Sequence, residues 1–177
     1  MFLSIDYLIN GNPRQQKAYH TLSRLNIMED LREFNPILCG TIPIEIDIKD
    51  SDLDIIIEVR DFQYYENLIR NLYGLKYNFK ISHSIIRDIP VITVNFNFEE
   101  FEIEIFGQAT PVQNQNAYIH MVIEHLIMEQ FPNIRSEVIH LKEQGYKTEP
   151  AFCKILGLEG DPYDSLIEYG KKMFNVK

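Results

Sequence analysis

The chain has 177 residues, 45% of them hydrophobic and 24% charged, with a formal net charge of −9. Such a length buries enough apolar surface for an ordinary folded unit, and the two cysteines, Cys39 and Cys153, are too few for a disulfide framework and suit a reducing compartment. With no run of Lys and Arg, the acidic balance argues against a groove that tracks a nucleic-acid backbone, whereas a nucleotide carried with its own metal ions stays compatible.

Residues 1–10 are mildly apolar, but Asp6 interrupts them and no basic segment or small-residue cleavage site follows, which argues against a secretory signal. No apolar run reaches membrane-spanning length, so the expectation is a cytoplasmic protein without a membrane partner. Asn12-Pro13 predicts a helix start: an N-cap, then proline at the first helical position. Leu22, Leu25, Ile27, Leu31 and Phe34 continue a helical pattern, with a joint near Asn26 and a stop at Asn35-Pro36. Ile37, Leu38 and Cys39 read as a short buried strand closed by Gly40, and 53–59 as a second, nearly all-apolar strand. Asp61 caps a helix that Gly74 ends.

From Lys76 to Gly107 the pattern predicts β structure in three segments, 76–86, 91–98 and 100–106, broken at Arg87–Pro90 and at Glu99-Glu100. Beyond Pro111, helices are expected over 114–131 and 134–144, then from Thr148 to Gly157, and a last one after Asp161-Pro162. The layout is one α/β (α+β) unit over 1–177: a mixed-sheet core over 1–110, with a helical appendage over 111–177 packed on it.

The stretch CGTIPIEIDIKDSDLDIII, residues 39–57, carries the chemistry. Asp52 and Asp54 alternate along a strand, so both carboxylates leave one face about 7 Å apart at the backbone. Side chains at that spacing can converge on Mg²⁺, which favours hard oxygen ligands and keeps waters that a phosphate replaces. Gly40-Thr41 precedes them at the end of the previous strand, where a glycine admits close approach of phosphate and a hydroxyl can donate to it. In FEIEIFGQ, Glu102 and Glu104 alternate with Phe101, Ile103 and Ile105, and either glutamate can complete a three-carboxylate site.

A short strand, Gly-Ser or its like, about ten residues, Asp-x-Asp and a later acid together resemble the polymerase-β-like nucleotidyltransferases. The wider set GTIPIEIDIKDSDLDI, EIFGQ with PVQNQNAY, and KTEPAF with GDPY resembles an uncharacterised bacterial family of nucleotidyltransferase-like proteins. The resemblance implies a nucleotidyltransferase-fold mixed sheet flanked by helices, two Mg²⁺ ions on Asp52, Asp54 and Glu104 (Glu102 as the alternate), and a nucleoside triphosphate contacted by Gly40, Thr41 and Ser51. It implies transfer of a nucleoside monophosphate to a hydroxyl on a small molecule or protein, nucleic acid being disfavoured; the alternative is a catalytically silent nucleotide sensor or interaction module. Thr41 in place of serine and a glutamate in place of aspartate as third acid are departures from the pattern.

The remaining signals take plainer readings. His120, Glu124 and His125 miss zinc-protease spacing, and His120 with Glu124 reads as a surface pair one helical turn apart. Tyr118, Met121, Val122 and Leu126 read as core, and Cys39 as a small buried hydrophobe. Lys76, Lys80, His83 and Arg87 read as solvated strand residues, and Asp47 and Asp50 as an exposed connection.

Overall fold

A computed structural model describes residues 2–174. Met1 and residues 175–177, at the ends of the core and appendage expected from sequence, lie outside the described residues. Helix α1 (Pro13–Leu25) starts where Asn12 predicts, and the cap is reciprocal. The Asn12 side chain accepts from the Arg14 and Gln15 amides, and Gln15 Oε1 accepts from the Asn12 amide at 3.0 Å, so orphan donors at the helix start are satisfied. Asn26, left-handed at φ 59°, joins α1 to α2 (Ile27–Asp30).

Among the described residues five strands form one sheet: β1 (Ile37–Cys39), β2 (Leu53–Glu58), β3 (Tyr77–Ile86), β4 (Ile89–Phe98) and β5 (Phe101–Gln108). Their order is β1-β2-β5-β4-β3, with only the β2–β5 pair parallel. The crossover from β2 runs through α3 (Phe62–Tyr73), which Asp61 caps by accepting from the Tyr64 amide. The four C-terminal helices are α4 (Asn116–Gln130), α5 (Ile134–Glu143), α6 (Thr148–Leu156) and α7 (Pro162–Phe174).

Strand alternation assigns the two sheet faces to two apolar layers. Leu53, Ile55 and Ile57 of β2, with Ile103 and Ile105 of β5, pack beneath α1 and α3. Ile56 faces the other way, joining Ile37, Cys39 and residues of α4 to α7. On that second face α7 crosses α4 at Gly170, where a Cβ would collide with the Ile123 side chain. No helix among the described residues is long and apolar enough to cross a membrane.

Two boundaries differ from the sequence reading. The break expected at Arg87–Pro90 is only Arg87-Asp88, both at positive φ (50° and 64°) as a two-residue hairpin turn requires. Pro90 lies inside β4, opposite Ile85, beyond the last residue that pairs with β5, so its missing N–H breaks no bond on that side. Strand β5 extends to Gln108, where the parallel register with Glu58 and the antiparallel register with Val91 hold its end.

Candidate functional site

The second sheet face opens, at the ends of β1, β2 and β5, into a cavity of about 480 Å³. Its sheet-side wall contains Gly40, Thr41, Asp54, Glu104 and Phe106. Register brings these together: Cys39 is the β1 partner of Asp54, Asp54 the β2 partner of Glu104, and Glu104 the β5 partner of Asn95. Neighbouring strands lie about 4.8 Å apart, so Asp54 and Glu104 side chains leave the same face close together. Asn95 Nδ2 donates to Glu104 Oε2 at 3.0 Å and orients that carboxylate.

Gly40 is at φ +80°, in the left-handed region, and a Cβ there would run into the Asp54 carboxylate. Backbone conformation and close approach both call for glycine at this position. Thr41 Oγ1 meets Ser51 Oγ at 3.2 Å, and Ser51 Oγ in turn accepts from the Ile48 amide at 3.0 Å. These contacts close the base of the 40–52 loop, whose Ile42, Ile44 and Ile46 are buried. Long polar side chains clamp its carbonyls: Gln15 on Ile42 and Pro43, Arg14 on Lys49 and Ser51, Arg135 on Ile44 and Lys142 on Ile46. Within the loop Asp50 is exposed, whereas Asp47 is half-buried and its charge reaches Lys142.

Burial, then the charges of Asp52 and Glu104, push the Asp54 carboxyl up to about 7. Asp52 precedes β2 by one residue and reaches Asp54 electrostatically, but neither it nor Ser51 lines the cavity. Glu102 shares the Glu104 face of β5 yet is exposed; its register partner is Asn97 on β4, and β2 begins too late to place a residue beside it. The geometry therefore groups Asp54 with Glu104, not with Glu102.

The helical wall overturns one expectation. His120 and Glu124 are no surface pair: each is 4% exposed, and both line the cavity. They share one face of α4, and that face is turned inward against α6 and the sheet, where Glu149 joins them. Burial raises the Glu124 carboxyl well above its ordinary range, reinforced by Glu149 and opposed by Lys142. Burial likewise raises Glu149, lowers Lys142, and holds His120 down at about 4, so its imidazole is neutral near pH 7. Sequence reasoning missed this group because the polar residues of α4 are spread around the helix, leaving no contrast that marks an inner face. The available signal was the pair of ligand-type residues one helical turn apart in NAYIHMVIEHLIMEQ together with KTEPAF, which carries Glu149.

Other expectations hold or shift slightly. Met121 and Cys39 are buried, while Val122 and Leu126 are half-buried and Ile123 and Ile127 take the core positions. Lys80 and His83 are exposed, but Arg87, at the β3–β4 turn, reaches the cavity rim and pairs with Asp164 at 2.6 Å and Asp161 at 3.9 Å. The hairpin tip is thus tied to the start of α7 across the cavity mouth.

Residues 20–169 match the family described as "Domain of unknown function (DUF4269)". No curated protein matches the chain significantly. Among solved structures, the chain is similar to one of the GLD-2/RNP-8 complex, at 16% identity over 86% of this chain and 61% of that one, with a TM-score of 0.55. It is similar to the Cid1 poly(U) polymerase bound to Mg 3′-dATP, at 14% identity over 72% and 40%, with a TM-score of 0.52. The polymerase core of TRAMP, an RNA surveillance complex, matches at 12% identity over 97% and 60%, with a TM-score of 0.56. The chain thus spans between 40% and 61% of the length of these structures. At such identities the likeness shows the fold alone, and that fold is the nucleotidyltransferase-type mixed sheet flanked by helices.

Proposed function

The chain belongs to this family of undefined function, and we propose that it is a Mg²⁺-dependent nucleotidyltransferase, moving a nucleoside monophosphate from an NTP to a hydroxyl of a small-molecule or protein acceptor. The observation that carries the reading is the register that sets Asp54 beside Glu104, immediately against the left-handed Gly40. The donor set fits the ion: hard carboxylate oxygens, crowded enough that Asp54 retains its proton to about pH 7 when nothing neutralises its neighbours. Asp52, Asp54 and Glu104 would hold the metal, two ions in the full arrangement; bound there, Mg²⁺ would offset phosphate charge and ease deprotonation of the acceptor hydroxyl.

The chain's own residues supply the rest. Gly40 leaves its backbone open to a phosphate oxygen, with no side chain between the end of β1 and the carboxylates. Thr41 offers a hydroxyl at the same point, and Ser51 holds that hydroxyl in place. Glu104, fixed by Asn95, stands where it can take the proton of an attacking hydroxyl. Ile56, Phe106 and Met121 give the cavity an apolar wall beside the carboxylates. The single functional unit is 1–177 in this reading, because the cavity draws on both the sheet and the helical appendage.

The acceptor follows from charge. The similar solved structures include a poly(U) polymerase and the polymerase core of an RNA surveillance complex, but a net charge of −9 and an acidic cavity disfavour a polyanionic acceptor here. The test is labelled Mg·NTP offered with metabolite pools and cell lysate, with pyrophosphate release as readout. Glu104→Gln is expected to abolish release while nucleotide binding partly survives, and Glu102→Gln to be mild. The opposite ranking reverses the assignment of the third acid. Mg²⁺-dependent NTP binding with no pyrophosphate released from the NTP, whatever acceptor is offered, would identify a nucleotide sensor on the same residues.

A further inference from the structure

The helical wall of the cavity holds a group that the nucleotidyltransferase reading leaves unused. Among the described residues, both ring nitrogens of His120 are buried and have no hydrogen-bond partner. A buried imidazole nearly always donates from one nitrogen, since an unsatisfied polar atom in the interior is costly. The nearest aromatic neighbour, Tyr163, meets the ring edge-on at 6.0 Å and leaves the nitrogens uncommitted. Glu124 follows His120 by one helical turn on the same face of α4, and Glu149 arrives from the first turn of α6. One ligand atom from each of the three lies within 4.8 Å of the others.

Two carboxyl groups and a neutral imidazole facing one point present the donor set that a divalent cation would satisfy, the acids giving up their protons as it binds. Lys142, whose charge reaches both glutamates, has its ammonium committed to the Ile46 carbonyl at 2.7 Å. The set of one nitrogen and two oxygen donors differs in kind from the all-oxygen group on β2 and β5. Carboxylates alone suit Mg²⁺; an imidazole with carboxylates suits the borderline transition metals, Zn²⁺ foremost. We propose that His120, Glu124 and Glu149 bind one divalent transition-metal ion of the Zn²⁺ class, with a coordination position open to the cavity. Three protein ligands leave that position free in a tetrahedral site, and all three ligands border the cavity. An oxygen ligand entering the cavity, from water or from the acceptor of the proposed reaction, completes the shell. The metal site itself does not depend on that reaction.

The full chain, stripped with chelator and titrated with Zn²⁺ in excess Mg²⁺, tests the assignment by calorimetry. One Zn²⁺ per chain should bind, and an Asp54→Asn/Glu104→Gln variant should bind it equally. His120→Ala should weaken it by more than about tenfold, with far-UV circular dichroism checking that the variant folds. X-ray absorption on the wild-type zinc complex should show a nitrogen donor beside oxygens, a readout that needs no variant. Zinc that Mg²⁺ displaces, an all-oxygen shell, or undiminished binding by a folded His120→Ala protein would each overturn the proposal.

Discussion

Replacing Asp54 with Asn should make the metal-free protein more stable while removing its response to Mg²⁺. Burial and the Asp52 and Glu104 charges raise this carboxyl from 3.8 to about 7 on folding. A raised acid contributes stability that is complete below its unfolded pKa and is lost as pH rises through the folded one. That window runs from about pH 3.8 to about pH 7. Roughly three units at about 1.4 kcal/mol each give an upper value on the order of 4 kcal/mol opposing folding above pH 7. Because the group borders a cavity and the amide also pays for burial, about 2 kcal/mol is the working expectation for Asn. At roughly 2–4 °C per kcal/mol for a chain of this size, the melting temperature at pH 8 should rise by about 4–8 °C. The assay is thermal unfolding from pH 5 to pH 8.5 in chelator, then with Mg²⁺ added. The advantage of the variant should grow with pH, and Mg²⁺ should stabilise wild type alone, as a ligand that binds only the folded state must. A variant no more stable at pH 8 than wild type, or an advantage independent of pH, would refute the reasoning.

Other perturbations reach the frame around the cavity. Gly170→Ala forces a methyl into Ile123 where α7 crosses α4, and should destabilise by about 1–3 kcal/mol in urea unfolding. Glu99, held down at about 2 by hydrogen bonds from Arg24 and then Thr21, contributes stability that is present above the usual carboxylate pKa and lost as pH falls from about 4.5 to about 2. Glu99→Gln should therefore lower the urea midpoint throughout the region above about pH 4.5, pH 7 included, with the deficit shrinking as pH falls toward 2. Arg87→Ala cuts an exposed, solvent-screened ion pair and should leave global stability almost unchanged. It should nonetheless speed amide hydrogen exchange at the β3–β4 tip, because Arg87 ties that tip to Asp164.

How far the sequence could be read depended on whether a signal was local. Asn12-Pro13, Asp61 and Gly74 marked helix ends because capping is decided within a turn or two of backbone. Gly40, Asp54 and Glu104 were visible because strand alternation fixes a face from period two, and the family-like spacing put the three in one frame. Which glutamate meets Asp54 was not visible: Glu102 and Glu104 share a face, and only the parallel register between β2 and β5 separates them. Pro90 looked like a break because proline usually ends a ladder, and the strand tolerates it only because β5 stops short of it. His120 and Glu124 were misread for a related reason. Their spacing put them on one face of α4, but which face turns inward was decided by α6, α7 and the sheet, none of which is local to the helix.

The acidic cavity also explains why its surroundings are so firmly pinned. Like charges relieve repulsion by moving apart, and a loose loop would let Asp52 and Asp54 swing out into water. Here the parallel register fixes Asp54 against Glu104 at strand spacing, and strand geometry leaves no room for a slip. The 40–52 loop is held from both apolar layers, by Gln15 and Arg14 of α1 on one side and by Arg135 and Lys142 of α5 on the other. All of these donors grip backbone carbonyls, so the loop is fastened without neutralising the carboxylates it positions. Lys142 alone lies near enough to lower Asp54, and it is buried and donates to the Ile46 carbonyl. A fold that clamps the backbone and leaves the acids uncompensated stays unfavourable to those charges until a cation arrives. On the proposed reading, the same clamps that hold the repulsion in place would also prepare the oxygens for an ion, giving metal affinity and the cost of the empty site a common structural origin.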